Sequence, residues 1–228
     1  MPLAIIPGMN ILPWHDIRSV FLDMDGTLLD LNFDNHFWRT HVPKRYAEDR
    51  GISLAQAHSE MHERYTRVEG TMNWYCLDYW TQELGLDILG LKREVEHLIA
   101  VMPAVPEFLE AVRACGRRVV LVTNAHPGSL SLKLEHTQIG NYLDAMICSH
   151  SYGVPKEDPI FWEKMRVDEP FDPHHTVLFD DSLSVLRSAH RYGLHAVALS
   201  QPDSQQAARN IDEFPAIQSF SQLLPLPC

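Results

Sequence analysis

The sequence predicts an α/β fold: a parallel sheet wound with helices, carrying a helical insert after its first strand. Three observations predict it. Short apolar runs rich in β-branched residues recur along the chain, helix-like segments separate the later runs, and this rhythm breaks between Asp30 and Pro103.

The runs are Ser19 to Asp23 (SVFLD), Arg118 to Thr123 (RVVLVT), Ala145 to Ser149 (AMICS), Thr176 to Asp180 (TVLFD) and His195 to Leu199 (HAVAL). Their hydrophobicity is continuous rather than alternating, which marks strands buried on both faces, as in a parallel sheet. Helical patterns span Pro106 to Ala114, Ser129 to Thr137, Pro159 to Val167 and Leu183 to Tyr192, several opened by Ser, Asp or Pro and one closed by Gly116. Strands alternating with helices predict a doubly wound domain. Within the break, helical patterns at Asn35 to Ala47, Leu54 to Arg67, Met72 to Leu84 and Lys92 to Val101 come with no convincing strand. The expected division is therefore a core of residues 1–30 and 104–228 and a helical cap of residues 31–103. From Phe214 the prolines predict an irregular tail over the sheet.

Composition narrows the function classes. The 228 residues are 45% hydrophobic and 21% charged, within the globular range. Nineteen basic residues against 30 acidic ones give a formal charge of -11, which repels polyanions and argues against a nucleic-acid polymer as partner. A small anionic substrate stays compatible, because a metal ion and a few local cations can dominate the field in a cleft.

The four cysteines, Cys76, Cys115, Cys148 and Cys228, show neither CxxC pairs nor zinc-ligand spacing. No disulfide framework is expected, and a reducing cytoplasmic setting fits. The apolar start, MPLAIIPGMNILPW, is broken by Pro and Gly and lacks a preceding Lys or Arg, unlike a signal peptide. No apolar run approaches the roughly 18 residues of a membrane span.

The chemistry gathers at the strand ends. Strand one ends in Asp23-Met24-Asp25-Gly26-Thr27, where residues two apart on an extended segment project to one side and glycine permits a sharp turn. Alone, Asp-Gly is equally a common turn former. Three further strands also end in polar residues: Thr123-Asn124, Ser149-His150 with Lys156 beyond, and Asp180-Asp181-Ser182. Ligands of open α/β sheets bind at those ends.

These residues match the demands of phosphoryl transfer. Asp23 is suited to be the nucleophile, giving an aspartyl-phosphate. Mg2+ is the expected cofactor, held by Asp23, the Asp25 carbonyl and Asp181, with Asp180 beside it. Lys156 would offset charge shared by Asp23 and the phosphoryl group, Thr123 and the Asn124 backbone would donate to the phosphoryl oxygens, and Met24 and Asp25 would complete the phosphate site. Asp25 would serve as general acid and base, which requires a pKa raised from about 3.9. Each residue also has a plainer reading: Thr123 as a strand end, Lys156 as a solvated loop lysine, and Asp180-Asp181 as a helix cap.

VFLDMDGTLLD, VLVTNA, PKEDP and VLFDDS resemble, in order, the four motifs of the haloacid-dehalogenase superfamily. The resemblance implies a Rossmann-like core with a helical cap of the C1 type after motif one. Its dehalogenases and phosphonatases lack the second aspartate, so Asp25 implies phosphate-ester chemistry. MDGTLLDLNFDNHFW, MNWYCLDYW, LVTNAHP, KLEHT and YGVPKED are further similar to the bacterial GMP/IMP 5'-nucleotidase branch. That similarity implies a purine mononucleotide as the small phosphorylated substrate; a sugar phosphatase or phosphomutase on the same core is the alternative. A non-enzymatic binding module would be expected to lack one of Asp23, Asp25, Lys156 or the Asp180-Asp181 pair, and all are present.

The cap offers aromatic residues for stacking on a base, among them Trp38, Tyr65, Trp74, Tyr75 and Trp80, although such rings are more often core. Asn35, His36, Arg39, Arg64, Asn73 and Trp74 are candidate substrate contacts. His126 fits a substrate contact or a loop role equally, and His58 with His62 read as exposed helix histidines.

Overall fold

The computed structural model describes residues 12–228. The apolar start of the chain, up to residue 11, lies outside them.

Strand β1 (Ser19–Leu22) leads into the helical insert: α1 (Asn32–His36), a π-helical turn at Phe37–His41, then α2 (Val42–Arg50), α3 (Leu54–Val68), α4 (Met72–Tyr75), α5 (Leu77–Leu84) and α6 (Ile88–Glu94). The chain returns through α7 (Val105–Ala114) to β2 (Arg118–Thr123), α8 (Pro127–Thr137), β3 (Ala145–Cys148), α9 (Pro159–Asp168), β4 (Thr176–Asp180), α10 (Leu183–Tyr192), β5 (His195–Leu199) and β6 (Ala216–Ile217). The sheet order is β3-β2-β1-β4-β5-β6, parallel throughout.

Burial on both faces explains the unbroken apolar runs. Val20 and Leu22 of β1, Val119 and Leu121 of β2, and Val177 and Phe179 of β4 pack with α7 on one face. Their neighbours Phe21, Val120, Val122 and Leu178 pack with α9 and α10 on the other. The insert has a hydrophobic cluster of its own, built around Phe33, Phe37, Met61 and Trp80 and joined by Leu132 of α8. Two connecting segments run antiparallel where insert meets sheet, with Leu29 opposite Val101 and the Asp30 amide on the Ala100 carbonyl (2.9 Å).

Three expectations are corrected. The tail is not wholly irregular: Ala216–Ile217 pairs with β5 as a sixth strand, and a capping box at Ser219 opens a 3-10 turn at Phe220–Leu223. The helical pattern expected over Met72 to Leu84 breaks at Cys76, whose backbone is extended. Cys115 and Cys228 form a disulfide with Cα atoms 5.1 Å apart. Their separation of 113 residues follows no spacing rule. Arg117 brings the ends together, its guanidinium donating to the carbonyls of Trp14 (2.8 Å), Ile17 (3.2 Å) and Pro227 (2.7 Å). Among the described residues no helix is long and apolar enough to cross a membrane.

Candidate active site

β1, β2 and β4 deliver their carboxyl ends to the point where the chain changes winding direction, the usual ligand crevice of an open α/β sheet. The Asp23 amide still pairs with the Phe179 carbonyl (3.0 Å), so Asp23 sits in register with the sheet. The chain then turns back, the Met24 carbonyl accepting from the amides of Leu28 (3.0 Å) and Leu29 (2.8 Å). Gly26 makes this turn at φ +81, where a Cβ would stand 2.8 Å from Asp181 Cγ and 2.9 Å from Pro202 Cβ. A side chain there would collide with the site itself.

Lys156 is the central cation and is only 2% exposed. Its Nζ donates to Asp23 Oδ1 (2.5 Å), to Asp180 Oδ2 (2.7 Å) and to the Val122 carbonyl (3.0 Å). The solvated-loop reading of Lys156 therefore does not describe it. Asn124 holds this loop: its Oδ1 accepts from the Lys156 amide (2.9 Å) and its Nδ2 donates to Glu157 Oε2 (2.9 Å). Thr123 Oγ1 accepts from the Ala125 amide (3.0 Å), which leaves the hydroxyl proton free to donate elsewhere. Asp180 Oδ1 accepts from the Ser182 amide (2.8 Å).

Asp23, Asp180 and Asp181 each bring a carboxylate oxygen within 4.8 Å of the others, an all-oxygen set that suits a hard divalent cation. Their electrostatics agree. Burial raises Asp23 to about 7 against the pull of Lys156, with Asp180 and Asp25 adding to the rise. Burial and then Asp23 raise Asp181 to about 7, and burial raises Asp180 to about 6. Although burial alone would lower Lys156, Asp180 and Asp23 more than offset it and hold it above the ordinary lysine range. Three carboxylates against the Lys156 ammonium and the Arg209 guanidinium, which lies 3.7 Å from Asp181 Oδ2, still leave an excess of negative charge that a divalent ion would neutralise.

Asp25 faces another partner. Its Oδ1 accepts from Lys133 Nζ (2.5 Å), which also reaches Asp34 Oδ2 (2.6 Å), and Asp34 Oδ1 accepts from Lys92 Nζ (2.7 Å). Lys133 belongs to α8, whereas Asp34 and Lys92 belong to the insert. Burial raises the Asp25 carboxyl and Lys133 lowers it, the rise prevailing. Asp34 lies well below the usual range, because Lys133 and Lys92 outweigh its burial. Lys133 opens the KLEHT segment and Asp34 lies within MDGTLLDLNFDNHFW, but neither segment assigned them a role, and Lys92 lies in no such segment.

A cavity of about 310 Å3 opens over these groups. Asp23, Asp25, Thr123, Asn124, Lys156, Asp180 and Asp181 line its floor, and Asn35, Trp38, Tyr65, Trp74, Tyr75 and Trp80 line it from the insert. Trp38, Tyr65, Trp74 and Trp80 pack edge-on or tilted with centroids 5.1–6.0 Å apart, so the rings are both insert core and cavity wall. Tyr75 donates to Glu157 Oε1 (2.6 Å), a cap-to-floor link that sequence reading missed. His36, Arg39 and Asn73 are not among the lining residues, and Arg39 and Asn73 are exposed. The Met24 side chain points into the core. Arg64 binds Glu60 and Glu83 on the insert surface, and His58 and His62 are exposed.

Residues 17–193 match the haloacid dehalogenase-like hydrolase family. The chain is 38% identical over 215 residues to the GMP/IMP nucleotidases YrfG of Escherichia coli (strain K12) and Shigella flexneri, covering 94% of this chain and 97% of each relative. A HAD phosphatase from Thermococcus onnurineus shares the fold at a TM-score of 0.76 and 22% identity, over 91% of this chain and 96% of that one.

Proposed function

The chain belongs to the haloacid dehalogenase-like hydrolases, and from that membership we propose that it is a Mg2+-dependent 5'-nucleotidase acting on the purine monophosphates GMP and IMP. The observation that carries the reading is the pairing of the Asp23-Lys156-Asp180 cluster with an aromatic-walled cavity above it. The names of the curated relatives support the choice of purine monophosphate over a sugar phosphate. We place the cap at residues 31–103, hinged where Leu29 meets Val101.

In the proposed reaction an Asp23 oxygen attacks phosphorus and the ester oxygen leaves with a proton from Asp25. Asp25 then takes a proton from the water that hydrolyses the aspartyl-phosphate. Lys156 holds the Asp23 oxygen that it binds at 2.5 Å and balances charge as it spreads onto the phosphoryl oxygens. Thr123 donates its free hydroxyl proton to those oxygens. Asp23, Asp181 and the Asp25 carbonyl would hold Mg2+, which supplies charge neutralisation for the approach of carboxylate to phosphate. Asp180, with an oxygen on Lys156 and another on the Ser182 amide, keeps Lys156 and the Asp181 loop in place. The base would stack against the Trp38, Tyr65, Trp74 and Trp80 wall.

The test is phosphate release from nucleoside monophosphates and sugar phosphates with Mg2+, by wild type and by Asp23→Asn. GMP and IMP should rank among the best substrates, and the variant should fold and release no phosphate. Preference for sugar phosphates would overturn the substrate reading, and activity in the variant would overturn the mechanism.

A further inference from the structure

Away from the carboxylate centre a second group of metal-grade atoms converges. Cys76, His126 and His150 each offer a ligand atom, all within 4.8 Å of one another. They come from three segments: the link between α4 and α5, the residue that caps α8, and the turn that follows β3. Nothing in their sequence spacing suggests a common site.

Three features mark this group as more than chance proximity. His150 Nε2 is enclosed and has no hydrogen-bond partner, an arrangement that proteins seldom leave without a ligand. The two imidazoles meet edge to face at 5.1 Å. The exposed Asp78 carboxylate stands beside the three converging atoms, its Oδ2 3.4 Å from His126 Nε2, in reach as a fourth donor.

We propose that Cys76, His126, His150 and Asp78 form a second metal site, for zinc or a similar thiolate-binding divalent ion, that fastens the cap to the core. Sulfur with imidazole selects such an ion over Mg2+, which prefers oxygen. Bonds of about 2.0–2.3 Å draw the ligand atoms inward. His126 Nδ1 now accepts from the Gly128 amide (3.1 Å), so ligation through Nε2 moves the ring proton to Nδ1 and gives up that contact at the start of α8. Cys76 and Asp78 lie in the insert and His126 and His150 in the core, and His126 also lines the cavity. An occupied site would hold the cavity shut and slow turnover.

The experiment is a Co2+ titration of the whole protein with Mg2+ in excess, followed by absorption. One equivalent should give a thiolate-to-cobalt charge-transfer band with tetrahedral d-d bands, and Zn2+ should abolish both. Cys76→Ser should lose the charge-transfer band, and His150→Gln should bind at least about tenfold more weakly, a loss that even changes outside the ligand shell can produce. Zn2+ should inhibit phosphate release by wild type and not by Cys76→Ser. Absence of a thiolate band in wild type, or its persistence in Cys76→Ser, would overturn the proposal. The binding readout stands apart from turnover, so it does not depend on the substrate reading.

Discussion

Lys133 pulls against the role proposed for Asp25. A general acid has to carry a proton near neutral pH, yet an ammonium at 2.5 Å favours the carboxylate. Burial wins, and Asp25 ends above its ordinary range with Lys133 limiting the rise. Replacing Lys133 with Met should therefore raise Asp25 further, so that the basic limb of the kcat profile moves to higher pH. An unmoved limb would show that Lys133 does not set the proton affinity of Asp25. The same change removes the cation that Asp25 and Asp34 share, and protonation of Asp25 should hold the loss below the ~3–5 kcal/mol of a broken buried pair, measurable by urea denaturation. Asp23, Asp25, Lys156 and the Asp180-Asp181 pair were legible in the sequence because strand ends advertise themselves by a change from apolar to polar residues. Lys133 was not, since a lysine in a helical stretch usually reads as a solvated one, and its separation of 99 positions from Asp34 hides the partnership.

At the scale of elements, the turn after β1 places the carboxylate pair and shapes the cation site together. Gly26→Ala would put a methyl 2.8 Å from Asp181 Cγ at a φ of +81. The left-handed backbone should cost about 1–2 kcal/mol, and displacement of Asp181 should weaken Mg2+ binding in the same variant. Thermal denaturation checks the first effect and a Mg2+ titration of phosphate release the second. Normal Mg2+ dependence in a destabilised variant would separate the turn from the cation site. The parallel strands were readable because both faces are buried. Element ends were less so: Cys76 caps α5 through its sulfur, accepting from the Tyr79 amide (3.4 Å), a use of cysteine that capping preferences do not anticipate. The start of α6 carried an overlooked signal, Asp87, whose side chain accepts from the Gly90 amide (2.9 Å). β6 is two residues long and held from one side only, too short to show a period.

For the whole molecule, the excess negative charge at the carboxyl ends of the central strands ties stability to pH and to the proposed cation. Asp23 and Asp181 at about 7 and Asp180 at about 6 all lie above the usual carboxylate value of 3.8. Between about pH 4 and 7 the folded protein therefore binds protons that the unfolded chain has released, and stability falls as pH rises through that window. Asp34 works oppositely, its contribution being lost only as pH falls below 3.8, outside the window. A divalent cation bound there would take the place of those protons. Saturation at about 100 times the dissociation constant stabilises a protein by about 2.7 kcal/mol, and here that gain should be largest above pH 7 and fade toward pH 5 as protons compete. Melting temperatures measured from pH 5 to 8, with EDTA and with excess Mg2+, should give curves that diverge as pH rises. Parallel curves would mean that the cation does not bind through Asp23 and Asp181.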